Sequence, residues 1–184
     1  MKRYMREILN KMSLHKKAEK IRFFFTDVDG TLTDGNTYYS ISGEAMKRFS
    51  HIDGTGFFLL NKAGIIPGII TGETSEIVKR RAEKLKLDLC FLGIQNKSDF
   101  ISQFAFNHNI LMEEIAYIGD DLNDLQLLKH VGLSFAANNA HHLVKSTVNI
   151  CCSSRGGMGC FREAVEILLV LQKKDIFETF YRID

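Results

Sequence analysis

The sequence lacks much that would mark a specialised chain. Among 184 residues there is no tryptophan and one proline, and neither an internal repeat nor a low-complexity linker is present. No apolar run approaches the roughly 20 residues needed to cross a bilayer, so no membrane partner is expected. The four cysteines, Cys90, Cys151, Cys152 and Cys160, form no C-x-x-C pair, and sequence neighbours such as Cys151 and Cys152 seldom bridge. That spacing argues against zinc and for reduced thiols packed as small hydrophobes. Neither sign of charge dominates. Lys and Arg number 24 and Asp and Glu 22, a formal net charge of +2, too balanced for a dedicated nucleic-acid binder. The first twenty residues are basic but hold no apolar stretch of the roughly 7–15 residues that a secretory signal needs. With the thiols, this sets a cytoplasmic expectation.

What is present suffices for one domain. The chain is 45% hydrophobic and 25% charged, which excludes intrinsic disorder. A chain of this length buries about 70% of its unfolded surface. Residues 1–20 place Met1, Tyr4, Met5, Ile8, Leu9 and Met12 on one helical stripe and Lys2, Arg3, Arg6 and Lys11 on the other, predicting an amphipathic helical extension. From residue 21, apolar runs at 21–25, 65–70, 89–92, 115–118, 133–136 and 148–150 alternate with helical patterns at 55–62, 75–86, 98–107, 122–129 and 161–173. Strands that are apolar throughout, separated by single helices, predict an α/β fold: a Rossmann-like parallel sheet with helices on both faces. The domain spans 21–175, with a tail over 176–184. One stretch breaks the alternation. Two extended runs around Ser42-Gly43, at 37–41 and 44–49, predict a small β-hairpin insert.

The chemistry concentrates at strand ends. The first strand runs into Asp27-Val28-Asp29-Gly30-Thr31, two carboxylates that alternate along a strand and face the same way unless Gly30 turns the chain. Close anions need a cation or a shared proton, and Mg²⁺ suits one or two carboxylates with a substrate phosphate. A second acidic cluster, Gly119-Asp120-Asp121-Leu122-Asn123-Asp124, follows the strand at 115–118. Between them lie Thr71-Gly72, after another strand, and Lys97, at a helix start. Open parallel sheets bind ligands beyond the carboxyl ends of their strands, so these elements are expected in one crevice. Gly54-x-Gly56 lacks the third glycine and the acidic residue of a dinucleotide fingerprint, and His141-His142 has no acidic partner nearby in sequence.

Taken together, Asp27-Val28-Asp29-Gly30-Thr31, Thr71, Lys97 and Gly119-Asp120-Asp121-Leu122-Asn123-Asp124 resemble the four motifs of the haloacid dehalogenase superfamily of phosphatases. The resemblance covers roughly residues 21–172. The hairpin in place of a cap domain, and the run Ser154-Arg155-Gly156-Gly157-Met158-Gly159-Cys160-Phe161-Arg162-Glu163, look like the capless branch that acts on 3-deoxy-2-ulosonic acid phosphates. The resemblance implies Asp27 as nucleophile, forming an aspartyl-phosphate, and Asp29 as general acid and base. It implies Mg²⁺ held by Asp27, the Asp29 main chain and Asp120, and Thr71 and Lys97 on the phosphoryl oxygens. Asp121, Asn123 and Asp124 would orient that shell. A homotetramer is also implied, with the hairpin and the N-terminal helix as contact surfaces.

For the substrate, the resemblance leaves two readings. Asp53, Gly54 and Arg81 match positions that contact sugar in the octulosonate enzymes, whereas Phe58 and Glu73 stand where those enzymes have Arg. The run from Thr71 to Lys84 looks closer to the nine-carbon branch, with Glu73, Arg81 and Lys84 lining the mouth. The expected substrate is therefore KDN or N-acetylneuraminate 9-phosphate. The alternative is Kdo 8-phosphate, of lipopolysaccharide biosynthesis. A phospho-accepting receiver is disfavoured, because its adjacent acids come near the first strand and here they come late. A non-catalytic assembly module remains as a further alternative.

Overall fold

Strand β1, Phe23–Thr26, is wholly buried and forms the middle of a six-stranded parallel sheet in a computed structural model that describes residue 8 and residues 11–181. Its neighbours are β4 (Ile66–Ile70) on one side and β6 (Ile115–Gly119) on the other, in register Phe25 to Gly68 and Phe25 to Tyr117. Strand β5 (Leu89–Phe91) closes one edge, and β7 (Leu133–Ala136) then β8 (Ile150–Cys151) extend the other, all parallel. A strand buried on both faces reads as continuous apolar sequence, because both sets of alternating side chains need a core. Phe24 packs with Phe135 and Phe161 on one face, while Phe23 and Phe25 meet Phe104 edge-on on the other.

Helices α1 (Met12–Ala18), α2 (His51–Lys62), α3 (Glu76–Lys84) and α7 (Cys160–Leu171) cover the Phe24 face. Helices α4 (Lys97–Asn107), α5 (Leu125–His130) and α6 (His142–Thr147) cover the other. The α/β expectation therefore holds, and so does the hairpin: β2 (Thr33–Ser40) and β3 (Gly43–Phe49) pair antiparallel as a separate two-stranded sheet.

Some boundaries differ from the sequence reading. Helix α2 begins at His51 rather than at 55, with the Ser50 side chain capping it through the Ile52 N–H. Gly54 and Gly56 lower helix propensity in that first turn, but both positions are crowded. A Cβ at Gly56 would lie 3.0 Å from the Phe161 ring, and one at Gly54 3.0 Å from Arg81. Helix α6 has no counterpart in the periodicity, being only six residues long. The tail forms a helix, α8 (Ile176–Tyr181), whose Phe180 packs edge-on against Phe58 at 5.2 Å. The amphipathic stripe of residues 1–12 lies almost entirely outside the described residues. Helix α1, which follows it, buries Leu14 and Ala18, and His15 Nδ1 lies 2.8 Å from the Leu171 carbonyl. Among the described residues no helix is long and apolar enough to cross a membrane, and the four cysteines are free.

Candidate active site

The chain turns at Gly30, four residues after the end of β1. Gly30 has a φ of +84°, a left-handed conformation that glycine adopts without steric cost. A Cβ there would also fall 2.0 Å from Asp120 Oδ2, so the absent side chain makes room for the second acidic cluster. The loop is pinned from the far end of the sequence. Gly157 N–H donates to the Thr31 carbonyl at 2.9 Å, and a Cβ at Gly156 would sit 1.8 Å from the Gly30 carbonyl.

A crevice of about 340 Å³ opens over the carboxyl ends of β1, β4 and β6, between Asp27, Asp29, Thr71, Glu73, Asp120, Asp121 and Asn123. The expected convergence of the strand ends is thus observed. Lys97, the first residue of α4, is buried beneath it. Its Nζ lies 2.7 Å from Asp27 Oδ1 and 2.6 Å from Asp124 Oδ1. Burial pulls its pKa down, but Asp27 and Asp124 more than offset this, and the ammonium stays above its ordinary range.

Asp124 is fully engaged. Oδ1 also accepts from the Tyr117 hydroxyl at 2.6 Å, and Oδ2 accepts the Asp120 and Asp121 N–H groups at 2.9 and 3.2 Å. It therefore fixes both Lys97 and the loop that carries Asp120. Asp121 caps its own turn through the Leu122 N–H at 2.8 Å. Asp120 Oδ1 accepts from the Thr31 hydroxyl at 3.2 Å. Thr71 is buried, and its hydroxyl accepts the Glu73 N–H at 3.3 Å.

Oxygens of Asp27, Asp120 and Asp124 all lie within 4.8 Å of one another. One lysine does not balance them. Burial, then Asp124, pushes Asp27 up to about 8. The same two causes, in the same order, push Asp120 up to about 7. With Asp124 saturated by its own donors, Asp27 and Asp120 are the carboxylates left to face a hard divalent ion, and an all-oxygen donor set of this kind fits Mg²⁺.

The remaining sequence candidates divide. Glu73 lines the crevice. Asp53 does not: it is buried, and its two oxygens accept the Gly159 and Arg162 N–H groups, both at 3.1 Å, anchoring the start of α7. Gly54, Arg81 and Lys84 line a separate cavity of about 350 Å³ with Phe58 and Phe180. Arg81 is committed there, donating to the Ser50 carbonyl at 3.0 Å and lying over the Phe49 ring.

Three residues at the site had no role in the sequence reading. Tyr117 looks like one more apolar strand residue. Thr31 sits inside the first motif. Lys47, on β3, lies 2.5 Å from Asp29 Oδ1. Its position within a Lys-Arg pair reads as solvated surface. Burial pulls the Lys47 pKa down, but Asp29 and Glu44 outweigh this and raise it above the ordinary lysine range.

A parallel sheet whose central strand delivers a buried carboxylate beside a lysine, a threonine and a second acidic loop fits phosphoryl transfer through an aspartate. A family model described as haloacid dehalogenase-like hydrolase matches residues 93–159, and the chain belongs to that superfamily, in its capless branch, as a phosphomonoester hydrolase. Its relatives are more specific. Over 167 residues it is 39% identical to the 3-deoxy-D-manno-octulosonate 8-phosphate phosphatase KdsC of Haemophilus influenzae, covering 90% of this chain and 93% of that one. The crystal structure of the corresponding phosphatase from Moraxella catarrhalis, in complex with magnesium, phosphate and KDO, superposes with a TM-score of 0.84 at 34% identity, covering 89% of this chain and 94% of that one. The cobalt-bound form of the Haemophilus influenzae enzyme gives 0.85 at 38% identity, covering 90% and 99%.

Proposed function

We propose that the protein is a Mg²⁺-dependent phosphatase that hydrolyses Kdo 8-phosphate. The observation that carries this reading is the 39% identity to an octulosonate 8-phosphate phosphatase along nearly the full length of both chains, joined to a crevice that holds the four motifs. Of the residues behind the nine-carbon expectation, Glu73 lines the crevice but Arg81 and Lys84 do not. Phe58 and Arg81, two of the residues weighed for the choice of sugar, face a different cavity in this chain, and the relatives favour the eight-carbon alternative.

Asp27 attacks phosphorus in line, so that a carboxylate–phosphorus bond forms as the bond to the sugar oxygen breaks. Asp29 gives its proton to that departing oxygen. It then takes a proton from the water that cleaves the aspartyl-phosphate, freeing inorganic phosphate and restoring Asp27. Lys97 and Thr71 hold phosphoryl oxygens, and Asp124 and Tyr117 hold Lys97. Asp27 and Asp120 would hold Mg²⁺, with the Asp29 main chain, and the ion supplies positive charge against the phosphate oxygens. The exposed Tyr39, Ile41 and Met46 of the hairpin support a contact between copies of the chain.

Phosphate release from Kdo 8-phosphate and N-acetylneuraminate 9-phosphate, measured side by side with Mg²⁺ and with chelator, tests the reading. We expect metal-dependent turnover and at least a tenfold higher kcat/KM for the eight-carbon ester, the scale on which a pocket tells apart substrates that differ by a small group. A preference for the nine-carbon ester would overturn the substrate assignment and leave the chemistry standing.

The raised carboxylates make a second expectation about the metal. With Asp27 at about 8 and Asp120 at about 7, the folded cation-free protein keeps protons that the unfolded chain, with its ordinary value of 3.8, has released. Its stability therefore falls as pH rises through the interval from about 4 to about 8. A cation that replaces those protons helps most where they are hardest to keep. Melting curves should show a larger gain from Mg²⁺ at pH 8 than at pH 5.5, and an equal gain at both would argue that these carboxylates are not ligands.

A further inference from the structure

We propose that Lys47 is the positioning residue for Asp29: a lysine on the hairpin holds one oxygen of the acid–base carboxylate and so fixes the orientation of that group at the crevice. The inference rests on the reading of Asp29 given above. The hairpin is mostly exposed, with Met46 57% and Arg48 53% open to solvent on either side, yet the Lys47 side chain is only 2% exposed. Lysine is almost never buried without partners. Here its three N–H donors have three partners: Asp29 Oδ1 at 2.5 Å, Glu44 Oε1 at 3.3 Å and Thr37 Oγ1 at 3.1 Å.

The complementary observation lies on Asp29 itself. Its second oxygen, Oδ2, is buried and has no hydrogen-bond partner among the described residues. Buried polar atoms in native proteins are nearly always paired, and an exception calls for an explanation. Asp29 lines the crevice, so the group that completes this carboxylate arrives with the substrate.

Lys47 is in turn anchored across the crevice. The other oxygen of Glu44 accepts from the Ser75 hydroxyl, and Ser75 Oγ also accepts the Val78 N–H at 3.3 Å, capping α3. The chain Asp29, Lys47, Glu44, Ser75 thus ties the loop after β1, the hairpin and the helix that follows Thr71 into one unit. Removing Lys47 leaves Asp29 free to rotate, and small misplacements of a reacting group cost about 100-fold in rate.

The test uses leaving-group chemistry, to which a merely structural residue is indifferent. A sugar alkoxide must be protonated to leave, whereas nitrophenolate leaves unaided. kcat/KM reports only the steps up to the phosphorylated enzyme. We expect Lys47→Met to lower kcat/KM about 100-fold for whichever of Kdo 8-phosphate and N-acetylneuraminate 9-phosphate the wild type hydrolyses faster. With p-nitrophenyl phosphate, kcat/KM should change little. A stoichiometric burst of nitrophenolate should precede a slow steady state, because hydrolysis of the aspartyl-phosphate still needs Asp29 as base. An equal loss on both kinds of ester, without a burst, would overturn the inference.

Asp29→Asn runs in parallel. Should it also fail to distinguish the esters, the reading of Asp29 fails. Should Asp29→Asn distinguish them and Lys47→Met not, only the positioning inference fails. If Lys47→Met does not fold, Glu44→Gln, which loosens one anchor of Lys47, is expected to show the same discrimination at about tenfold, and an equal effect on both esters would overturn the inference there too.

Discussion

Asp27→Asn is expected to reduce phosphate release by about 10⁴-fold or more while giving a more stable cation-free protein. The amide cannot form the acyl phosphate, so the loss is in kcat and no conservative repositioning restores it. The stability gain has a separate origin. Burial and the neighbouring Asp124 carboxylate make ionised Asp27 unfavourable, holding it near 8. A neutral amide of the same shape relieves both. Lys97 keeps its 2.6 Å contact with Asp124, so the variant leaves no stranded charge. Melting at pH 8 without divalent cation should rise relative to wild type, with a smaller difference at pH 5.5, where wild-type Asp27 is already protonated. A variant that loses turnover and also melts lower at pH 8 would show that Asp27 is a net structural asset, contrary to its environment.

Lys97→Met has the opposite stability signature. The ammonium is the buried cation between Asp27 and Asp124. At about 4 Å and an effective dielectric near 20, each such opposite pair is worth roughly 4 kcal/mol. Removing one member of a buried ionic set typically costs about 3–5 kcal/mol, because the charge left behind has neither water nor partner. Turnover should fall about 10³-fold, the scale of losing one electrostatic donor to the transferring group. Both losses follow from one atom, yet they separate with pH. As pH falls below about 8 Asp27 takes up its proton and the stability deficit shrinks, whereas the deficit in turnover persists. Chemical denaturation at pH 5 and pH 8, with rates at the same two values, checks this. Near-normal turnover in a folded variant would remove Lys97 from the phosphoryl contacts.

The placement of the acidic motifs was legible in the sequence from local pattern, while their chemical roles came from the resemblance to a family. Phe23, Phe24 and Phe25 are apolar on both faces of a strand, which only a doubly covered sheet satisfies, and the acids that follow such strands must then lie at its carboxyl edge. Ser42-Gly43 marked the hairpin; its second strand is where the pattern put it, and its first begins at Thr33, four residues earlier than expected. The residues that escaped are those whose role depends on a distant partner. Asp53 matched a sugar-contacting position but is 106 residues from the Gly159 amide it binds, and nothing local distinguishes a carboxylate that caps a helix from one that waits for a ligand. Lys47 next to Arg48 looks like an ordinary charged strand face. Its burial follows from the hairpin folding back over Asp29. Tyr117 fits a β-strand equally as a core residue or as a donor to Asp124.

The clasp between residues 156–160 and the loop after β1 has a consequence for biosynthesis. Synthesis proceeds from the amino terminus, so Asp27 leaves the ribosome long before its surroundings exist. Strand β1 cannot sit in its sheet until Ile66–Ile70 and Ile115–Gly119 have followed, and the Gly30–Thr31 turn is not held until Gly157 and Cys160 reach the Thr31 carbonyl. Contacts of such long sequence separation form late. The nucleophile therefore acquires its fixed surroundings only after residues 156–160 have been made, and fragments released by premature termination or by cleavage upstream of Gly156 carry the signature motif without that clasp.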